Sequence, residues 1–139
     1  DDPAPFSETE LTVDDVLLAA EALAAQGEPF TGIQLGEWML ESTPENPDAL
    51  AGQGWLLARS ATPDALAPAE IGLTFLDRAL GVEPAHPEAL VYRAFVHNFL
   101  GDPVSAAADL AAFDDLDTRP ADLRGLILAF GLRESIGAS

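Results

Sequence analysis

Few residues in this chain have both the type and the spacing for chemistry. Two histidines, His86 and His97, are the only ones, and neither has a second histidine or a cysteine at metal-ligand spacing, so no zinc site is expected. Asp109, Asp114, Asp115 and Asp117 gather enough carboxylate for calcium but lack the loop glycine and closing glutamate of an EF-hand, and they read as a solvated turn. Gly52-Gln53-Gly54 lies inside a helical pattern, where it supplies small packing surfaces rather than a phosphate loop. No Gly-x-Ser-x-Gly or His-Glu-x-x-His motif occurs. A catalytic site would have to be assembled from Glu21, His97 and Arg93, and their spacing does not support it. The expectation is no catalytic residue, no metal and no cofactor.

Arg93 falls on a position that should face another helix. Its stem should lie along that interface and its guanidinium should pair with a carboxylate such as Asp77 or Asp109. His97 reads as a packing histidine, and His86, directly before Pro87, as a residue at a helix start.

Charge narrows the partner classes. Twenty-four carboxylates face six arginines and no lysine, a formal net charge of -18. Such a surface repels phosphate backbones and anionic membranes, which excludes nucleic acid and direct membrane contact, and it suits solubility or a basic partner. With no cysteine, disulfides, thiolate metal sites and cysteine nucleophiles drop out together. Hydrophobic residues make up 48%, enough for a packed core despite the charge, and the length fits one domain. No apolar run approaches the roughly 20 residues needed to span a bilayer. The chain begins at Asp1 without a methionine, which reads as the start of a trimmed or processed piece.

The elements that must position these residues are helices. Residues 1–11 form a polar, proline-containing lead-in without helical periodicity. Thr12 with Asp15 reads as an N-cap pair, and Val13, Val16, Leu17, Ala20 and Leu23 follow at helical spacing. Gln26-Gly27 ends that helix. Six more helices are expected: Phe30 to Glu41, Pro47 to Arg59, a fourth from about Ala69 to Leu80, Pro87 to Leu100, Pro103 to Phe113, and a last one over 121–135. Asn46-Pro47, His86-Pro87 and Asp102-Pro103 each place proline at a first helical position, where its missing N–H costs nothing.

The helices repeat. Units over 13–46, 47–86 and 87–120 have lengths of 34, 40 and 34 residues, the longer one accommodating extra residues over 61–66 on a turn. Position 8 of each unit is Ala20, Gly54 and Ala94, and position 20 is Gly32, Gly72 and Ala106. Position 32 is Pro44, Pro84 and Thr118. Small side chains at two such positions let paired helices approach closely, and proline fixes where the second helix stops.

This pattern resembles the tetratricopeptide repeat family from Val13 to about Ser135. The departures are Val16, Leu50 and Leu90 where the family carries tryptophan, and Met39 and Phe113 where it carries a small residue. The resemblance implies an all-α, antiparallel helix-pair solenoid in a single domain over 12–139, with three pairs and a capping helix over 121–135. It also implies a non-catalytic scaffold that binds a protein or peptide in its concave groove. Carried over residue by residue, that groove comprises Leu17 and Glu21; Asp48, Ala51, Trp55 and Arg59; and Val91, Phe95, Asn98 and Phe99. Only Arg59 and Asn98 offer donors there, so a clamp for a C-terminal carboxylate is not expected. A segment with apolar anchors and basic flanks is the expected ligand.

More distantly, 49–59 and 89–110 resemble the soluble repeat domains of bacterial cytochrome c maturation-type proteins. That likeness implies an extracytoplasmic soluble domain of a membrane-anchored or secreted protein, rather than a cytoplasmic one, acting in assembly or maturation of exported proteins such as c-type cytochromes. The alternative is a structural or self-associating soluble head, for instance a homodimer, with no free-peptide ligand.

Overall fold

The computed structural model describes residues 12–137, so the lead-in expected over 1–11 lies outside the described residues. The protein is an all-α stack of antiparallel helix pairs. Helices α1 (Val13–Ala25) and α2 (Pro29–Ser42), α3 (Pro47–Arg59) and α4 (Ala67–Val82), and α5 (Pro87–Phe99) and α6 (Pro103–Asp114) form the pairs. Two short helices, α7 (Ala121–Ala129) and α8 (Leu132–Gly137), close the far end.

Local chemistry sets each boundary. Thr12 and Asp15 form a reciprocal capping box at the start of α1, with both bonds at 3.1 Å. Asn46 and Asp102 accept from the backbone N–H groups of Ala49 and Ser105, and proline occupies the first turn of α3, α5 and α6. Gly27 and Gly101 take the left-handed conformation just after α1 and α5, at φ of 84° and 85°. The insertion over 61–66 folds into a tight turn in which Thr62 and Ala65 exchange both backbone hydrogen bonds.

The end of the chain departs from the single capping helix expected over 121–135. Gly131, at φ 59°, turns the chain after Phe130 and breaks that segment into α7 and α8. Both pieces can then dock: Leu123 and Ile127 of α7 and Leu132 of α8 are each almost fully buried in the main core.

The pairs close on their smallest residues. A Cβ on Gly32 would fall 2.8 Å from the Ala20 carbonyl oxygen, and one on Gly54 would fall 2.7 Å from that of Gly72. The third pair makes the same crossing with Ala94 and Ala106, both completely buried. The largest core cluster runs from α3 to α8 around Leu50, Leu76, Val91 and Phe113, while α1 and α2 contribute two small clusters around Val16 and Ala20. One buried polar side chain interrupts the first interface. The Gln53 carboxamide lies in the notch left by Gly36 and donates from Nε2 to the Ile33 carbonyl at 3.0 Å.

Electrostatics attach the cap. Arg133 of α8 makes two parallel bonds to Asp114 at the end of α6, 2.8 and 2.9 Å long. The Arg133 hydrogen bond holds the Asp114 carboxyl below the usual carboxylate range. A carboxyl lowered on folding stabilises fully above its unfolded value near ~4, and that contribution is lost as pH falls through the lower folded value. Both side chains are more than a third exposed, so the pair contributes about 0.5 kcal/mol. Asp114→Asn should therefore raise amide exchange in α8 at neutral pH, and the difference from the parent should vanish in strong acid. Equal exchange at neutral pH would show that apolar docking alone holds α8.

Candidate partner-binding groove

The first helices of the pairs, α1, α3 and α5, lie side by side with α7 beyond them. Because every pair is antiparallel, these helices point the same way. Residues at i, i+4, i+7 and i+11 of a helix share one face. On α3 that face carries Asp48, Gly52, Trp55 and Arg59, and on α5 it carries Glu88, Tyr92, Phe95 and Phe99.

Aromatic rings form the centre. Trp55 stacks on Tyr92 with centroids 4.6 Å apart and an interplanar angle of 7°. Phe95 tilts against Trp55 at 5.6 Å and meets Phe130 edge-on at 6.1 Å. The Arg59 guanidinium lies 6.0 Å from the Trp55 ring centre while bonding Glu21 of α1 at 2.6 Å. Trp55, Tyr92 and Phe95 remain half-buried, and Phe130 is exposed. This cluster borders a cavity of about 470 Å³ that Asp122, Leu123 and Leu126 of α7 complete.

The two ends differ in character. At the helix N-termini, Asp14, Asp48, Glu88 and Asp122, with Glu21 from further along α1, surround a cavity of about 340 Å³, with Leu17 and Ala51 also in its wall. At the C-termini, Ala58, Ala61, Phe95, Val96 and Phe99 line an apolar cavity of about 240 Å³, with Arg59 on its edge. Burial pushes up the pKa of the Tyr92 phenol, reinforced by the charges of Glu21, Glu88 and Asp122.

His86, the N-cap of α5, couples that helix to α3 at the acidic end. Its ring is 3% exposed; Nδ1 accepts from the Ala89 backbone N–H at 3.1 Å, and Nε2 lies 2.6 Å from Asp48 Oδ1. The Nδ1 acceptor role assigns the proton to Nε2, which donates to Asp48. Asp48, His86 and Glu88 bring potential metal-ligating atoms within 4.8 Å of one another. Both ring nitrogens are already engaged, so a cation there would have to displace the cap or the clip.

Of the residues expected in the groove, Leu17, Glu21, Asp48, Trp55, Arg59, Phe95 and Phe99 line these cavities. Val91 is completely buried among core side chains, one residue off the groove face. Ala51 is 1% exposed and offers only a patch of floor. Asn98 donates to the Ser135 hydroxyl at 2.8 Å and so ties α5 to α8. Sequence reasoning passed over Tyr92, Asp122 and Phe130, and it placed His86 at a helix start, where it caps α5, without its bond to Asp48. The repeated stripe of 48, 52, 55 and 59 against 88, 92, 95 and 99 was the signal for Tyr92, whereas Asp122 and Phe130 had none, because they reach the groove only through the docking of α7.

Away from the groove, Arg93 pairs with both expected partners. It makes two bonds to the buried Asp109, at 2.7 and 2.9 Å, and one to Asp77 at 2.9 Å. His97, 18% exposed, stands 3.9 Å from Asp109.

No family model and no curated protein matches this chain. Among solved structures it is similar to the crystal structure of a thermophilic tetratricopeptide repeat protein from Thermus thermophilus. The identity is 20%, with 91% of this chain and 87% of that chain covered and a TM-score of 0.41.

Proposed function

We propose that this chain is a non-catalytic scaffold that holds a segment of another protein in the groove formed by α1, α3, α5 and α7. One observation carries the reading: Trp55 stacks on Tyr92 and packs against Phe95, yet all three rings are left half-open between adjoining cavities. Aromatic side chains ordered before binding lose little entropy on contact, and such residues dominate interface energetics. The acidic rim suits a ligand with apolar anchors and basic flanks. In its sharpest form, the ligand is a helical segment of an apocytochrome or of another subunit of cytochrome c maturation.

The test is a panel of amphipathic helical peptides, an apocytochrome segment among them, titrated against the domain by calorimetry and amide-shift mapping. Trp55→Ala and Phe95→Ala should each weaken the best binder by about 2 kcal/mol, close to thirtyfold, with helicity and cooperative unfolding retained. Unchanged affinity in both variants would remove the groove from consideration.

A second reading, the self-associating head, draws on Phe130, 70% exposed where it borders the groove, and on Leu128 of α7, which is 78% exposed. A homodimer covering them would raise the mass seen by light scattering as concentration increases and would compete with the peptides.

A further inference from the structure

We infer that the groove reads its ligand in one direction, and that the ligand is an amphipathic helix with cationic side chains at its C-terminal end and an aromatic or large apolar anchor about eleven residues earlier. This rests on the binding reading above and adds polarity, spacing and ligand class.

The polarity comes from the repeat. Asp14, Asp48, Glu88 and Asp122 lie in the first turns of α1, α3, α5 and α7, where carboxylates favour the positive helix end. Parallel first helices deliver all four to the same end of the groove, around the cavity of about 340 Å³. Helix capping does not account for one further feature there. Glu21 also lines the cavity but is already bonded to Arg59 at 2.6 Å, whereas Tyr92, which borders the same cavity, carries a hydroxyl that forms no hydrogen bond with any described residue. A ligand guanidinium or ammonium would meet the first-turn carboxylates and a phenol oxygen without a partner among the described residues.

The opposite end refuses such a group. Its cavity is walled by alanines, Trp55, Phe95, Val96 and the 43%-exposed Phe99, with no carboxylate in its lining, so a ligand cation there would lose water without gaining a partner of opposite charge. The two ends therefore discriminate together.

The spacing follows from the host helices. Asp48 to Arg59 and Glu88 to Phe99 are eleven-residue steps, and at 1.5 Å per residue the two ends lie about 16 Å apart. A ligand helix spans that distance in about eleven residues, which is close to three full turns and returns the second anchor to the same face. Cations favour a helix C-terminus, so the ligand runs antiparallel to α3 and α5, its C-terminus over Asp48 and Glu88.

Two synthetic helical peptides of identical composition test this. One carries an arginine pair at its C-terminal end with phenylalanine eleven residues before it; the other has the reversed order. Each carries a nitroxide at its cationic end, and binding is followed by calorimetry and amide broadening. The first peptide should bind about tenfold more tightly at low salt. It should broaden the amides of Ala49 and Ala89, and its advantage should disappear in an Asp14→Asn, Glu88→Gln variant. Equal affinities, or broadening centred on Arg59 and Phe99, would overturn the directional inference and leave the groove as the binding site. If neither peptide perturbs any groove amide, the binding reading and the inference both fall.

Discussion

Gly72→Val should lower the stability of the domain by about 3 kcal/mol, and its unfolding midpoint by about 10 °C. Gly72 is where α4 crosses α3. A Cβ there would stand 2.5 Å from the Gly54 carbonyl oxygen, 3.1 Å from the Ala58 nitrogen and 3.3 Å from the Ala58 Cβ. Two of these three atoms are backbone, so no change of rotamer relieves the clash and the helices must separate. A β-branched side chain adds two stiffly held methyl groups to the same contact. Gly125, inside α7, supplies the contrast, since nothing lies within 4 Å of a Cβ there and its φ is ordinary. Gly125→Ala should stabilise by about 0.5–1 kcal/mol through helix propensity alone. Denaturant melts followed by circular dichroism decide both. A Gly72→Val midpoint within a few degrees of the parent would mean that the α3–α4 crossing is not the close contact its geometry requires.

The same crossing marks what the residue order makes legible. Small residues at fixed offsets announce the helix pairs, because close approach leaves no alternative to Gly or Ala at Gly54, Gly72, Ala94 and Ala106. Proline at a first helical position and glycine after a last one set the helix ends through local backbone chemistry. Arg93 could be matched to Asp77 and Asp109 because each lies sixteen residues away on the adjoining helices. The groove was legible as a surface but not in its rotation. Positions carried over from a repeat frame included Ala51 and Val91, yet the stripe that faces solvent runs through Gly52 and Tyr92. One residue is about 100° of helix, enough to exchange core for groove. The His86–Asp48 clip spans 38 residues from α3 to the start of α5, and neither residue's neighbours announce the other. The break at Gly131 was hidden for another reason: a glycine after Phe130 is compatible with a continuing helix until packing requires both α7 and α8 to dock.

Arg93→Met should be the second large effect, costing about 3 kcal/mol, while Arg93→Met combined with Asp109→Leu should restore most of that loss. Asp109 is 5% exposed, and its hydrogen bonds raise the pKa of the Arg93 guanidinium further above its ordinary value, so the arginine keeps its charge in the pair. Removing the arginine strands a carboxylate that has already lost its water, and this penalty, rather than the lost attraction, dominates the single substitution. Replacing both partners by apolar groups of similar volume removes the penalty together with the bond. Asp77 is left exposed to solvent and needs no partner. Chemical unfolding of the two single variants and the double gives the coupling energy; if the double is no more stable than Arg93→Met, the loss lies in packing and not in the stranded charge. The cycle also bears on function. Arg93 joins α5 to α4 and α6, and α5 carries Tyr92 and Phe95 toward the groove. A single variant that lets α5 rotate should lose peptide affinity although no groove residue has changed, and the double should regain it. Affinity that follows stability through all three variants would place the rigidity of the aromatic cluster, and not its exposed area alone, at the centre of recognition.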